Sequence, residues 1–271
     1  MSKQILLALI ASLVLVTMVV AAEPRRVLRI AADPNNLPFT NEKREGFENK
    51  IAELLAKELD ADIEYIWRAQ RRGFFRQALK EGECDLVLGV PARFDRALTT
   101  KPYYRSTYCF VSRADRKLDI HDFDDARLKE LQVGVQLVGD DGTNTPPAHA
   151  LAARGIVDNV VGYTLYGDYE EQNPPARVVD AVASREIDIA VVWGPLAGYF
   201  AKQHKPSLVI TPVVPAEADK PLRFAFDIAL GVRKDDAALR DALDLALERR
   251  AKEIDAILDD YGVPRVLAPK K

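Results

Sequence analysis

The chain has 271 residues, with 38 Lys and Arg against 41 Asp and Glu, a formal charge of −3 and 48% hydrophobic residues. No basic stripe with interleaved aromatics is present, which argues against a nucleic-acid partner. The length and apolar content suffice for two lobes, each with its own core.

The N-terminus opens with Lys3 and an apolar run from Ile5 to Val20, and Val20-Ala21-Ala22 supplies small residues before Glu23. This reads as a secretory signal peptide over residues 1–22, removed on export. A run of about 16 residues is shorter than the roughly 20 needed to span a bilayer, so no stable membrane span is expected after cleavage.

Val27–Ala31 is an aliphatic strand ending in the turn Asp33-Pro34-Asn35-Asn36. Phe47, Ile51, Leu54, Leu55 and Leu59 recur at helical spacing. Ile63, Tyr65 and Trp67 alternate as in a strand, and Phe74, Phe75, Ala78 and Leu79 mark a helix stopped at Gly82. Asp85–Val90 is continuously apolar after its first residue, as a strand covered on both faces would be. The strand–helix rhythm then restarts. Leu131–Gln136 is a strand, Pro146 and Pro147 suit the first turn of a helix through Ala153, and Val160–Leu165 is a strand. A helix from Pro175 to Ser184 precedes the apolar strand Ile187–Trp193, and another helix runs from Pro195 to about His204. Phe224–Val232 reads as a return strand, followed by helices from Asp236 to about Arg250 and from Ile254 to Tyr261.

Two cysteines in an exported chain suggest a disulfide. Cys84 precedes the strand Asp85–Val90, and in the two-lobed fold that the family resemblance given below implies, Cys109 falls beyond the first crossing between lobes. They are therefore expected to remain unpaired, outside the roughly 7 Å Cα reach of a bridge. The histidines His121, His149 and His204 are far apart, and no nucleophile motif or metal-ligand spacing is present. No cofactor, metal or catalytic role is expected.

The stretch Gly46–Ser106, with GFENKIAELLAKEL, FFRQALKEGECDLVLGV and PARFDRALTTKPYYRS, resembles the first lobe of periplasmic solute-binding proteins of the amino-acid-receptor type. The resemblance covers nearly all of the mature chain. It implies an α/β type II periplasmic binding protein, two Rossmann-like lobes joined by two crossing strands, each lobe with its own sheet. Lobe 1 would comprise residues 23–106 and 224–271, and lobe 2 residues 107–223, with crossings near Pro102–Ser106 and Phe224–Ile228. Ligands of open α/β sheets bind beyond the carboxyl ends of the strands, here at the cleft between lobes.

The same resemblance assigns cleft positions. Asn35, Asn36 and Phe39 follow the first strand. Arg96 matches the receptors' carboxylate-clamping Arg, and Arg93 stands where they carry a Thr. These two form an anion site, since a guanidinium offers a bidentate fork, or Arg96 pairs with Asp95 or an acid of the crossover. Trp193 stands where the receptors carry the Asp that neutralises an ammonium. It either stacks on a flat ligand, packs against the opposite lobe or is simply a core residue. In the loop LVGDDGTNTPPAHAL, Asp140, Asp141 and Thr143 precede a helix whose start carries His149. The two Asp face an anionic ligand unfavourably or cap the helix.

Several ordered motifs narrow the resemblance: Asp33–Phe39, Gly46–Ile51, Gly139–Gly142, Thr145–Pro147, Tyr166–Tyr169 and Trp193–Tyr199. They resemble the quinoprotein-dehydrogenase-associated binding proteins, the MxaJ/XoxJ-like branch of family 3. That branch implies a periplasmic location and a partner, a PQQ-dependent alcohol dehydrogenase, which the protein would help to activate. It often carries Cys where Ala32 stands here. The competing expectation is a transport receptor for a small anionic solute other than a standard amino acid. An enzyme, as in dehydratases of this fold, would have only His149 as a placed acid or base.

Overall fold

Strand β1 (Arg26–Ala32) is buried from Leu28 onward except at Arg29, as its aliphatic side chains require in the middle of a sheet. The structure, a computed structural model, describes residues 25–70, 73–138, 143–164, 169–204 and 207–267. The expected signal peptide over residues 1–22, Asp140, Asp141 and Tyr166–Asp168 lie outside the described residues. After β1, the short strands β2 (Asn35–Asn36) and β3 (Thr40–Asn41) fold the turn back on itself. Helix α1 (Phe47–Glu58) begins at Gly46, where a Cβ would fall 1.9 Å from the Phe39 carbonyl oxygen. Only glycine lets the chain enter the helix this close to the turn. Asn49 Oδ1 accepts from the backbone of both Gly46 and Asn41 at 3.1 Å, tying helix to turn.

Strand β4 (Ala61–Trp67) pairs in parallel along the whole of β1. The helix expected over Phe74–Leu79 is completed by a π turn, Arg76–Lys80, in which Glu81 N bonds the Arg76 carbonyl. It stops at Gly82, whose φ of +77° suits glycine. Strands β5 (Leu86–Pro91), β6 (Leu98–Thr99) and β7 (Tyr104–Arg113) follow.

The second half comprises β8 (Val133–Val138), β9 (Thr143–Asn144), α2 (Pro146–Ala153), β10 (Val160–Thr164), α3 (Arg177–Ser184), β11 (Ile189–Trp193), α4 (Gly194–Ala201) and β12 (Leu208–Pro212). The chain then returns through β13 (Ala225–Val232) and closes with α5 (Ala237–Arg249) and α6 (Ala251–Asp260). Asp236 caps α5, its side chain accepting from Leu239 N at 3.0 Å. Among the described residues no helix is long and apolar enough to cross a membrane.

One expectation is corrected. The sheets are not separate: the ladder runs β10-β8-β11-β7-β13-β5-β1-β4 without a break. The crossing strands β7 and β13 pair antiparallel, Tyr104–Thr107 against Ala225–Ile228. Ser106 and Thr107 are almost fully buried there, and buried backbone groups must find partners. The other crossing strand is the nearest supplier. Strand β7 then continues to Arg113, pairing with β11 and β12.

Four apolar clusters fill the fold. The first joins α1, α5 and α6 to β1 and β5 through Phe47, Leu55, Leu86, Leu243 and Leu258. The second gathers Phe110, Phe123, Leu151 and Phe224, and the third packs α3 and α4 against Cys109 and Val111. The fourth holds Phe74, Leu79 and Cys84. Cys84 and Cys109 are therefore buried in different clusters, and both are free thiols, as the sequence suggested. Burial pushes their pKa values up, to about 11 and about 12, which keeps them protonated.

Candidate functional site at the crossing strands

The turn after β1 is built around Asp33, which is 3% exposed. Its carboxylate accepts from Asn35 N at 2.9 Å and from Gln70 N at 2.7 Å. Thr40 Oγ1 donates to the Asp33 carbonyl at 2.7 Å, and Asn36 Nδ2 donates to Gln70 Oε1 at 3.0 Å. These bonds hold Asn36 and Phe39 at the wall of a cavity of about 110 Å³, which also touches Glu48, Gly89, Tyr104, Trp193 and Ile228. It sits where β1 and β5 meet the crossing strands, at the sheet end where the sequence reading placed a cleft.

Trp193 ends β11 and precedes the first residue of α4. Its ring lies edge-on to Tyr108 of β7, 5.4 Å between centroids, and to Phe226 of β13 at 5.9 Å. It packs against both the first and the second apolar clusters. Trp193 thus seals the junction between the halves, and part of it lines the cavity. A carboxylate at this position would face two aromatic rings.

Glu48, in the first turn of α1, is 7% exposed and has no hydrogen-bond partner for its carboxyl among the described residues. Burial pushes its pKa up to about 8. Gly89 makes room for it: a Cβ there would lie 2.3 Å from Glu48 Oε1, and the residue has φ +71°. The β5–β13 register is irregular across this point, between Ala229 and Gly231. Such an irregularity bends a strand locally and re-aims what faces it.

The remaining expected cleft residues are dispersed. Asn35 Nδ2 donates to the Glu171 carbonyl at 2.8 Å, so this turn grips the second half. Leu37 completes the grip by burying itself in the third cluster. Arg93 and Arg96 are exposed and do not reach the cavity. After β5, Ala92 N bonds the Asp227 carbonyl and Ala97 N closes a turn on Phe94. β6 then pairs with Gly231 and Val232, which lie opposite the amino end of β5. That path carries Arg96 to the far end of the strand. There it lines a groove of about 870 Å³ with Phe75, Leu79, Lys80, Asp95 and Arg233. No Arg96–Asp95 ion pair forms. His149 is exposed on α2, and Thr143 pairs through its backbone with Val138.

The sequence reading did not single out Asp33, Gln70, Tyr104 or Glu48 as cavity residues. Glu48 carried a signal: it directly follows Phe47, at the edge of the apolar stripe of α1. Among the described lining residues the formally charged ones are both acids, Asp33 and Glu48. Such a wall suits hydrogen-bond donors and cations. Among the described lining residues there is no guanidinium or ammonium to meet a carboxylate.

Residues 28–264 match the model of the bacterial extracellular solute-binding proteins, family 3. The chain belongs to that family. Protein MoxJ of Methylorubrum extorquens AM1 is 35% identical, over 90% of this chain and 83% of its own length. The crystal structure of periplasmic binding protein XoxJ from Methylobacterium extorquens AM1 is 33% identical and superposes with a TM-score of 0.73, covering 89% of this chain and all of that one. That of MxaJ from Methlophaga aminisulfidivorans MPT is 26% identical, with a TM-score of 0.77 over 88% of this chain and all of the other. Within the family, this chain falls in the MxaJ/XoxJ-like branch, with the type II periplasmic binding fold.

Proposed function

We propose that this protein is exported to the periplasm, loses residues 1–22, and serves a PQQ-dependent alcohol dehydrogenase there by direct contact. Lobe 1 (residues 23–106 and 224–271) and lobe 2 (residues 107–223) act as one body gripping the partner. The observation that carries this reading is the junction at Trp193. Where a receptor of the family would hold its ligand's ammonium, an indole packs on Tyr108 and Phe226. The halves are fastened by their own contacts, Leu37 in the third cluster and Asn35 on Glu171. The cavity that remains, about 110 Å³, is small beside the ~300–1,000 Å³ of ordinary ligand pockets. Membership of the MxaJ/XoxJ-like branch supports a dehydrogenase as that partner. A receptor for an anionic solute is less well supported, because Arg93 and Arg96 stand outside the cavity.

An accessory protein shifts its partner only by binding one state of it more tightly than another. Deleting the gene should therefore lower the activity or the cofactor-loaded fraction of the dehydrogenase and leave solute uptake unchanged. A fully active dehydrogenase together with loss of uptake of one solute would establish the receptor instead.

A further inference from the structure

We propose that the cavity beside Trp193 binds a small primary ammonium ion, with Glu48 as its counter-charge. The inference is independent of the dehydrogenase reading. It starts from a carboxyl that nothing in the fold uses. Glu48 is 93% buried, lines the cavity and has no hydrogen-bond partner among the described residues. A desolvated carboxyl is costly to ionise without a counter-charge, so its place on a cavity wall calls for a reason. The backbone is shaped around it, since Gly89 approaches so closely that no side chain fits beside Glu48 Oε1.

The rest of the lining suits a cation. Asp33 lines the same cavity, but its carboxylate is already engaged, by the backbone N–H groups of Asn35 and Gln70 among other partners, which leaves Glu48 as the counter-charge. Asn36 spends its amide N–H on Gln70, which leaves its carbonyl oxygen as an acceptor. The Trp193 indole adds an aromatic wall of the kind that attracts ammonium ions. The volume of about 110 Å³ accommodates an ion of a few heavy atoms. A zwitterionic amino acid fails on a separate ground, because no Lys or Arg among the described lining residues meets its carboxylate. Among the described residues the groups facing Glu48 are Asp33 from the turn after β1, Tyr103 and Tyr104 at the start of β7, and Trp193 from the second half. The tyrosines, their pKa values raised by burial, stay neutral, so an entering cation has no positive neighbour among them.

With its pKa near 8, Glu48 is mostly protonated at pH 7 and mostly ionised at pH 9. A primary ammonium keeps its charge until about pH 10. Binding should therefore release a proton at pH 7 and tighten with pH.

The test is calorimetric titration of the mature protein with methylammonium chloride at constant ionic strength, with sodium chloride and glycine as parallel titrants. A ligand this small binds in the millimolar range at best. We expect saturable millimolar binding of methylammonium, tightening up to about tenfold from pH 7 to pH 9, and none of sodium or glycine. Glu48→Gln should abolish it while the circular dichroism spectrum stays unchanged. No binding by the wild type at either pH, equal binding of glycine, or undiminished binding by a folded Glu48→Gln variant would each overturn the proposal. The wild-type titrants decide the matter even if the variant does not fold.

Discussion

The cavity beside Trp193 and the groove beside Arg96 lie at opposite ends of the same strand, β5, and differ in what they offer a ligand. The cavity is small, walled by aromatic rings and acidic. The groove is about eight times larger by its volume of about 870 Å³, and its rim carries Arg76, Lys80, Arg96, Arg233 and Lys234 against Glu81, Asp95 and Asp235. A receptor for free amino acids must meet an ammonium and a carboxylate within one site. Here Asp33 and Glu48 stand at one end of the sheet and Arg96 at the other.

The largest expected effect tests the acidic side of that contrast. Glu48 has its pKa raised from 4.5 to about 8 in the folded state. Between those values the folded protein holds a proton that the unfolded chain has lost, so stability falls as pH rises and levels off above about 8. At roughly 1.4 kcal/mol per unit, Glu48→Gln should stabilise the protein by about 3–5 kcal/mol at pH 9 and hardly at all at pH 4. Denaturant titrations at the two pH values measure this. Equal effects at both would mean that the carboxyl is not desolvated.

Asp85, at the amino end of β5, provides the opposite case. Burial would raise its pKa, but hydrogen bonds from Arg29 and Arg233 outweigh that and hold it below the usual carboxylate range. Its contribution is present above about pH 4 and is lost as the pH falls through its lowered folded value. Asp85→Ala leaves Arg29 without an ion-pair partner among the described residues and Arg233 with Asp235 and Asp236 alone, and should cost about 3 kcal/mol at pH 7. The loss should shrink in acid.

Trp193→Ala removes a ring that joins two clusters. The ring is partly exposed, so the loss should fall below that of a fully buried ring, at about 2–3 kcal/mol in equilibrium unfolding. Arg96→Ala, an exposed residue with no ion pair among the described residues, should change stability by less than about 0.5 kcal/mol. A large effect there would mean that the groove is part of the folded core's support.

Much of the fold was legible because its signals are local. The helical spacing of Phe47, Ile51 and Leu55 and the apolar run Ile187–Trp193 each require one element of known type. Strand β7 was legible only at its start, since TYCFVSR mixes polar and apolar residues that are buried by three different partner strands. β12 passed unread for a similar reason: it is half-exposed at the sheet's margin and shows no alternation. The site was less legible than the fold. Trp193 was found because it replaces a residue that the resemblance implied. Arg96 was placed by that same resemblance, but the return along β13 carries it away, and backbone routing of this kind leaves no trace in residue type. Glu48 is an ordinary helix residue until Gly89 and the β5–β13 irregularity close over it.

The separation of acidic cavity from basic groove is tested most directly by calorimetry of the mature protein against the common L-amino acids, one at a time. No binding in the micromolar range is expected for any of them, because no described lining residue of the cavity is a Lys or Arg that would meet the carboxylate and Trp193 stands where the family resemblance implies the ammonium's partner. Micromolar binding of any one free amino acid would contradict it.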